Sequence, residues 1–551
     1  MSSSQTSILT GARLAVAALE DADVPVVFGL PGVHNLALWR ALGESSLRLI
    51  GVRHEQTAAY AAHGYARASG RLGVALTTTG PGAANTLAAV GEAWASRQPV
   101  LVVATDIPSS VRRPGVWRGV LHEATDQAAM FRPVVKESYR VTSAEHAGAV
   151  VAAAARTALT PPARPVYVEI PTDLLGAEAA ERSDPDASAP APPLEPARGQ
   201  LARALELLER ARSPLVWAGG GALQADAGEA VGTLAEKLVA PVILTYSARG
   251  LLPPGHPCLV EAAPHVADVG ALWDESDVVV GIGTDFDAMM TQGWKQPQPP
   301  HLVAVNVDAA DASKNYRPDV VVEADAALGA AALADGLAER GGHDALARRM
   351  RALNTSVRAA FSQSDPEAIG FVEAFEAALP DDAVVVCDMC LPAYWLGGFQ
   401  RVKAPGKFAY PLGWGTLGCA FPQGLGAALA GAGPAVSVSG DGGFLYAVGE
   451  LAAAKQEAIP LTAVIVDDGG YGMIRFDQDL HGHPREGVDL VSPDFVAMAR
   501  SFGIRADSVD GLGDHFAVAL KGHIALREPT VLVARAALGP PPNVSPRWYR
   551  R

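Results

Sequence analysis

The fold of this chain is decided between Ser439 and Gly472, where two glycine-rich turns read Ser439-Gly440-Asp441-Gly442-Gly443 and Val466-Asp467-Asp468-Gly469-Gly470-Tyr471-Gly472. A short apolar run precedes each turn, at residues 435–438 and 461–466. Such runs are typical of buried strands in a parallel sheet. The stretch therefore predicts two neighbouring strands that end in turns at one edge of an α/β domain.

The two turns carry the groups that an anion and a hard cation need. Glycines let the backbone approach a bulky anion, and a helix predicted over residues 444–458 would direct its first amides at that anion. Asp441, Asp468 and the Gly470 carbonyl offer oxygen atoms, which Mg²⁺ prefers as ligands. We therefore predict a magnesium–diphosphate site here.

Composition limits the class of protein. A chain of 551 residues has room for about three domains, and its net charge of −15 argues against nucleic acid as a partner. No apolar run is long enough to span a membrane, and the first residues do not read as a secretion signal. We therefore expect a cytoplasmic protein with no membrane partner. Of four cysteines, Cys387 and Cys390 are predicted to be packed thiols rather than a zinc or redox site.

Apolar runs alternate with helical patterns along most of the chain, which predicts three doubly wound α/β domains with parallel sheets. The predicted strands lie at residues 24–28, 47–52, 74–78, 100–104, 166–170, 215–217, 242–244, 278–280 and 302–305. The predicted boundaries are an N-terminal domain at 1–175, a proline-rich linker at 176–199, a middle domain at 200–341, a helical connector at 342–365 and a C-terminal domain at 366–551.

Three motifs in different regions resemble the thiamine diphosphate (ThDP) enzymes. They are Gly440-Asp441-Gly442 with its second half, Arg53-His54-Glu55-Gln56, and the turn Thr79-Gly80-Pro81-Gly82. Asp467-Asp468 stands where that family usually has two asparagines, so the predicted metal site carries one more negative charge. The resemblance identifies the domains as pyrimidine-binding, middle and diphosphate-binding.

The resemblance implies a role for each matched residue. Glu55 would protonate the cofactor's N1′, Leu417 would hold its bent shape, and the Gly415 carbonyl would accept from N4′. The other expected cofactor contacts are Gly80, Pro81, Asn85, Gly440, Asp441, Gly442, Gly443, Asp468, Gly470, Tyr471, Met473 and Ile474, and the metal ligands are Asp441, Asp468 and Gly470. Because Glu55 and the diphosphate site would come from different subunits, we expect a homodimer at minimum and a homotetramer in full.

The resemblance is closest to acetolactate synthases and to 2-oxo acid decarboxylases of the benzoylformate decarboxylase type. Three departures from the synthases are Leu121-His122-Glu123 for Phe-Gln-Glu, Cys390-Leu391-Pro392 for Gly-Gln-His, and Thr284-Asp285-Phe286-Asp287-Ala288 for a FAD-contacting Arg-Phe-Asp-Asp-Arg run. Since both arginines of that run are missing, we expect ThDP and Mg²⁺ but no FAD.

His34, on the first loop after a strand, and His122 are the predicted catalytic histidines beside Glu55. The implied reaction is decarboxylation of a small 2-oxo acid, after which the enamine either joins a second carbonyl compound or is protonated to release an aldehyde. The synthase-like framework favours carboligation, with aldehyde release as the alternative. Two further alternatives are a non-catalytic protein that retained the fold and FAD- or NAD-type redox chemistry on the middle domain.

Overall fold

A computed structural model describes residues 8–179 and 192–541. The central part of the predicted linker and the tail that carries Trp548 and Tyr549 lie outside the described residues. Within the described ranges, no helix has both the length and the apolar character needed to cross a bilayer.

Three six-stranded parallel sheets form the framework, as the sequence predicted. The first has the order β2-β1-β3-β4-β6-β5. Its strands are β1 (Val26–Gly29), β2 (Arg48–Gly51), β3 (Gly73–Thr77), β4 (Val100–Asp106), β5 (Ser138–Arg140) and β6 (Val166–Pro171). Every residue of β3, β4 and β6 is buried, which explains their continuous apolar sequences.

The second sheet has the order β12-β11-β10-β7-β8-β9. Its strands are β7 (Pro214–Ala218), β8 (Val242–Leu244), β9 (Leu259–Val260), β10 (Val278–Ile282), β11 (His301–Asn306) and β12 (Val320–Glu323). The third has the order β14-β13-β15-β16-β18-β17. It consists of β13 (Val384–Cys387), β14 (Phe408–Ala409), β15 (Ala435–Gly440), β16 (Leu461–Asp467), β17 (Arg505–Asp510) and β18 (Thr530–Arg535).

Helices flank all three sheets. Those of the N-terminal region are α1 (Gly11–Asp21), α2 (Leu36–Gly43), α3 (Glu55–Ser69), α4 (Pro81–Ala84), α5 (Leu87–Ala95), α6 (Gln127–Phe131), α7 (Ala147–Leu159) and α8 (Thr172–Gly176). The middle region has α9 (Arg198–Arg210), α10 (Gly220–Gln224), α11 (Gly228–Leu238), α12 (Ala267–Asp274), α13 (Ala309–Ser313), α14 (Ala326–Gly336) and α15 (His343–Ser364). The C-terminal region has α16 (Pro366–Ala378), α17 (Leu391–Phe399), α18 (Ala420–Leu429), α19 (Asp441–Phe444), α20 (Leu451–Gln456), α21 (Gly472–Leu480), α22 (Phe495–Ser501) and α23 (Asp514–Ala525).

The prediction of one continuous helix over residues 444–458 is wrong. The α-helical turn α19 begins at Asp441, a 3₁₀ segment follows at Leu445–Glu450, and α20 begins only at Leu451. Ala447 interrupts the helix with φ −130° and ψ 19°. The helix at residues 451–456 lies within the predicted range, but the kink depends on packing that a single sequence does not reveal.

The chain divides into two compact units. The first contains the first sheet together with Pro422–Gly431 and Ala447–Ile459. The second contains the other two sheets. The predicted site residues fall into two clusters, one in each unit.

Candidate active site

Glu55 is the first residue of α3, in the first unit. The His54 side chain caps this helix, since its Nδ1 accepts from the Gln56 backbone N–H at 3.2 Å. Glu55 is only 8% exposed, and Asn85 Nδ2 donates to its Oε2 at 2.9 Å. A Cβ at position 82 would lie 3.4 Å from Glu55 Oε1, so the glycine leaves room beside the carboxylate. The structure thus brings the predicted residues Glu55 and Asn85 together.

The turn at Gly80 and Pro81 is held by a buried glutamine that sequence reasoning missed. Gly80 has φ +65°, and a Cβ there would lie 2.5 Å from the His122 carbonyl oxygen, so only glycine fits. The Gly80 N–H donates to Gln127 Oε1 at 2.6 Å, and Gln127 Nε2 donates to the Thr105 carbonyl at 2.9 Å. This network positions the turn that leads into Pro81 and Asn85.

His34 and His122 form a pair. Their ring centroids lie 5.2 Å apart with an interplanar angle of 70°. Each has a buried Nδ1 atom that finds no hydrogen-bond partner within the described ranges. Burial, and then the neighbouring His122, lower the pKa of His34, which favours the neutral form of its imidazole.

The loop that carries His34 is fixed by Asn35, another residue that sequence reasoning did not single out. Asn35 Oδ1 accepts from the Gly32 N–H at 2.8 Å and from Trp39 Nε1 at 2.9 Å. Its Nδ2 donates to the Leu30 carbonyl at 3.0 Å. Because these bonds close the loop on itself, the backbone at His34 is held at the carboxyl end of β1.

Four neighbouring strands of the first sheet deliver this first cluster. The His34 loop follows β1, Glu55 follows β2, Gly80 follows β3, and His122 lies on the segment that follows β4. The carboxyl ends of parallel strands are where ligands bind in open α/β sheets. We call Glu55, Asn85, Gly80, His34 and His122 the Glu55 cluster.

The second unit contains a cavity of about 260 Å³ at the ends of β13, β15 and β16. The predicted diphosphate and metal residues on its wall are Gly440, Gly442, Gly443, Asp468 and Gly470. The predicted contacts to the rest of the cofactor on the same wall are Gly415, Leu417, Tyr471, Met473 and Ile474. Together with the buried Asp441, these residues form the Asp441 cluster.

The carboxylates of this cluster fit a cation. Asp441 is 1% exposed, Ser492 Oγ lies 2.9 Å from its Oδ2, and its buried Oδ1 has no hydrogen-bond partner among the described residues. Burial raises the pKa of Asp441, and burial with the charge of Asp441 raises the pKa of Asp468 to about 6. A divalent cation between them would relieve this unfavourable burial of negative charge.

Arg475 compensates the additional negative charge that Asp468 introduces. Its Nη1 and Nη2 donate to the Asp468 carbonyl at 3.3 and 3.2 Å, and Nη2 lies 3.5 Å from Asp468 Oδ1. The same guanidinium lies 3.3 Å from Asp489. Asp468 was predicted from the sequence, but its counter-charge Arg475, seven residues later, was not.

Neighbouring side chains leave no room for a Cβ atom at two glycines of the first turn. A Cβ at position 442 would lie 2.6 Å from Tyr471 Cε1, and one at position 443 would lie 2.6 Å from Asp388 Oδ2. Asp388 is buried, which raises its pKa to about 6, and its Oδ2 accepts from the Gly418 N–H at 2.9 Å. Asp388 therefore anchors the loop that presents Gly415 and Leu417, a role that no sequence motif indicated.

Structural roles are seen for Cys387 and Cys390 and for residues 284–288, where the arginines of the FAD-contacting run are missing. Cys387 is a buried free thiol, as predicted, while the free thiol Cys390 is half-buried on the cavity wall, and burial raises the pKa of both. In the middle domain, Asp285 pairs with Lys314 at 2.7 Å, and Asp287 Oδ1 accepts from the Met289 N–H at 2.8 Å. The expected absence of FAD stays a prediction.

Replacing Asp468 with asparagine gives a prediction about the metal site. We expect the Asp468→Asn variant to keep its activity and to bind ThDP as tightly or more tightly, because it removes one negative charge beside an anionic diphosphate and keeps a ligand oxygen. Calorimetric titration of ThDP in the presence of Mg²⁺ measures this. Loss of Mg²⁺-dependent binding would show that the second carboxylate is required.

Comparison with known proteins gives a family for each region. Residues 9–130 match the N-terminal TPP binding domain of thiamine pyrophosphate enzymes, residues 201–333 the central domain, and residues 388–534 the C-terminal TPP binding domain. Thiamine pyrophosphate is another name for ThDP. These matches cover most of the chain, and each contains strands of a different sheet.

Individual relatives are similar over nearly the full length. A probable 2-ketoarginine decarboxylase of Pseudomonas aeruginosa is 36% identical, covering 90% of this chain and 88% of the relative. A probable acetolactate synthase large subunit of Methanocaldococcus jannaschii is 29% identical over 95% and 91%. The solved ThDP-dependent 4-hydroxybenzoylformate decarboxylase of Rhodococcus jostii has a TM-score of 0.80 at 24% identity, covering 96% of this chain and 99% of that one, and supports the fold.

Proposed function

Since this chain belongs to the thiamine pyrophosphate enzymes, we propose that it decarboxylates a 2-oxo acid and releases the corresponding aldehyde. The observation that carries this choice is the His34–His122 pair at the same sheet edge as Glu55. Aldehyde release needs a proton at the former α-carbon, and imidazole is the side chain best suited to transfer one near neutral pH.

The residues present fit the cofactor, and each has a proposed task. When bound, ThDP supplies the carbon nucleophile and the electron sink that decarboxylation requires. Asp441, Asp468 and the Gly470 carbonyl would hold Mg²⁺, and the glycines of the Asp441 cluster would admit the diphosphate. Glu55, shielded from water and oriented by Asn85, would keep a proton at N1′.

The histidines differ in their proposed roles. Burial lowers the pKa of His34, which favours its neutral imidazole, so His34 is the proposed neutral neighbour that packs edge-on against His122. His122 stands at the position where the resemblance to synthases placed a glutamine, so it is the proposed proton donor to the product. Its left-handed backbone, with φ +66°, packs directly on Gly80.

Carboligation is the second candidate. Acetolactate synthases are among the relatives, and the sequence motifs favoured this outcome. In a ligation, the same imidazole would donate to the developing alkoxide of the acceptor instead of protonating the α-carbon. The two candidates share every step up to the loss of CO₂, so only the products separate them.

We predict that His122→Gln lowers aldehyde release by ~10²-fold, on the scale of lost general acid catalysis, and raises the share of ligated product. The measurement is CO₂, aldehyde and acyloin together, from one reaction with an added acceptor aldehyde. His34→Ala is assayed in the same way. If His122→Gln instead abolishes ligation while CO₂ release continues, carboligation is the native reaction. Unchanged rates and ratios in both variants would remove the histidines from the mechanism.

The substrate panel follows from the relatives. A relative named as a 2-ketoarginine decarboxylase and a structural neighbour named for 4-hydroxybenzoylformate suggest 2-oxo acids with a guanidinium or an aromatic side chain. We also propose Mg²⁺ as the metal and a homodimer, assembled further into a homotetramer, as the active form. The cytoplasmic location expected from the sequence stays a prediction.

A further inference from the structure

Glu450 is a buried carboxylate of the first unit that has no part in the mechanism so far. It is 2% exposed and is the last residue of the 3₁₀ segment after the kink at Ala447. A carboxylate removed from water is costly unless it is hydrogen-bonded. The partners of Glu450 therefore indicate what this residue does.

The partners are the two backbone amides directly before Glu55. The His54 N–H donates to Glu450 Oε1 at 2.9 Å, and the Arg53 N–H reaches Oε1 at 3.0 Å and Oε2 at 3.1 Å. These amides follow β2 and precede the first turn of α3. Glu450 thus binds the backbone where the chain leaves the strand and starts the helix that bears Glu55.

A second contact from the same segment strengthens this attachment. Gln456, at the end of α20, accepts from Arg53 Nη2 at 2.7 Å, while Arg53 Nη1 donates to the Gly51 carbonyl at 3.1 Å. Both the backbone and the side chain of Arg53 are therefore fixed. Asn85 binds the Glu55 carboxylate directly. Glu450 therefore fixes the backbone before Glu55, and Asn85 orients its side chain.

We propose that Glu450 is a positioning residue for Glu55, acting through the Arg53 and His54 amides to hold the Glu55 carboxyl where it transfers its proton. This inference rests on the role proposed for Glu55. Misplacing a catalytic group by an ångström can cost about 10²-fold in rate, so hydrogen bonds from the two preceding backbone amides are enough to matter.

The ionisation of Glu450 separates a positioning role from a purely structural one, because the two roles predict different stabilities for a neutral variant. Burial raises the pKa of Glu450 to about 7, against the hydrogen bonds from Arg53 and His54. The folded state therefore holds this proton more tightly than the unfolded state, and the ionised carboxylate costs stability as the pH rises through 7. At pH 8 the neutral Glu450→Gln variant should accordingly be as stable as the parent or more stable.

The test is a double-mutant cycle with deuterium exchange of the ThDP C2 proton as its main readout. Glu450→Gln keeps one acceptor oxygen but sets an NH₂ group against the Arg53 N–H, and Glu450→Ala removes both acceptors. We expect C2 exchange and kcat to fall about tenfold in the first variant and up to about 10²-fold in the second, with KM little changed. In the Glu55→Gln background, neither substitution should lower exchange further.

Amide hydrogen exchange and C2 exchange together distinguish a failure of the Glu450 proposal from a failure of the role proposed for Glu55. Amide hydrogen exchange in the cofactor-free protein should be faster at Arg53 and His54 in Glu450→Ala but unchanged in the control Glu44→Gln, whose exposed carboxylate pairs with Arg13. Full additivity of Glu450 and Glu55 substitutions, or normal C2 exchange with lost thermal stability, would overturn the positioning role alone. Normal exchange in Glu55→Gln itself would instead overturn the proposed role of Glu55.

Discussion

The Glu55→Gln variant is expected to lose turnover by ~10²-fold or more while it still binds ThDP. Glutamine keeps the size of the side chain and can still bond with Asn85, but it has no acidic proton to share with the cofactor's N1′. The diphosphate would be held by the Asp441 cluster, so binding should persist. Steady-state rates of CO₂ release, with ThDP affinity measured by calorimetry, test both parts.

The matched control is Glu44→Gln, which removes an exposed carboxylate of the same unit that pairs with Arg13. Exposed ion pairs contribute about 0–1 kcal/mol, so this variant should behave as the parent does. Turnover of Glu55→Gln within a few-fold of the parent would contradict the assignment of Glu55 as the proton-holding acid.

The second large effect is expected at Asp441. Asp441→Ala removes the buried carboxylate whose Oδ1 has no protein partner within the described ranges. We expect Mg²⁺-dependent ThDP affinity to fall at least about 100-fold, because loss of one partner of a buried ion pair costs about 3–5 kcal/mol. The cofactor-free variant should melt no earlier than the parent, since burial disfavours this charge.

Thermal unfolding with and without Mg²⁺ and ThDP measures both expectations for Asp441. A ligand that binds only the folded state raises Tm, and this increase should disappear in Asp441→Ala. Ser492→Ala is the control, because it removes a hydroxyl that lies 2.9 Å from Asp441 Oδ2 and leaves the carboxylate. An undiminished increase in Tm in Asp441→Ala would exclude Asp441 as a metal ligand.

Although the equally buried central strand β18 was not singled out, several central strands could be predicted because burial on both faces leaves a continuous apolar sequence. This holds for β3, β4 and β15, whose residues are nearly all buried. The edge strands β9 and β14 have only two residues each, and β17 is largely exposed. Such strands lack a pattern of their own and are defined by their neighbours, so the sequence did not indicate them.

The same distinction applies to the candidate site. Glu55, Asp441 and Asp468 were found because each belongs to a local motif. Gln127 and Glu450 were missed because their partners are distant in the sequence: Glu450 bonds a backbone amide 396 positions away. No local pattern in one sequence encodes such a pair, and it becomes visible only when the fold brings the two segments together.

The most direct test of the proposed function is CO₂ release after removal and restoration of the cofactors. The purified protein is freed of metal and ThDP with a chelator and then assayed with 2-oxo acids that carry guanidinium, aryl and small alkyl groups. We predict that at least one substrate releases CO₂ and forms its aldehyde only when ThDP and Mg²⁺ are both restored. Release that does not depend on ThDP, or no release from any substrate after restoration, would contradict the proposal.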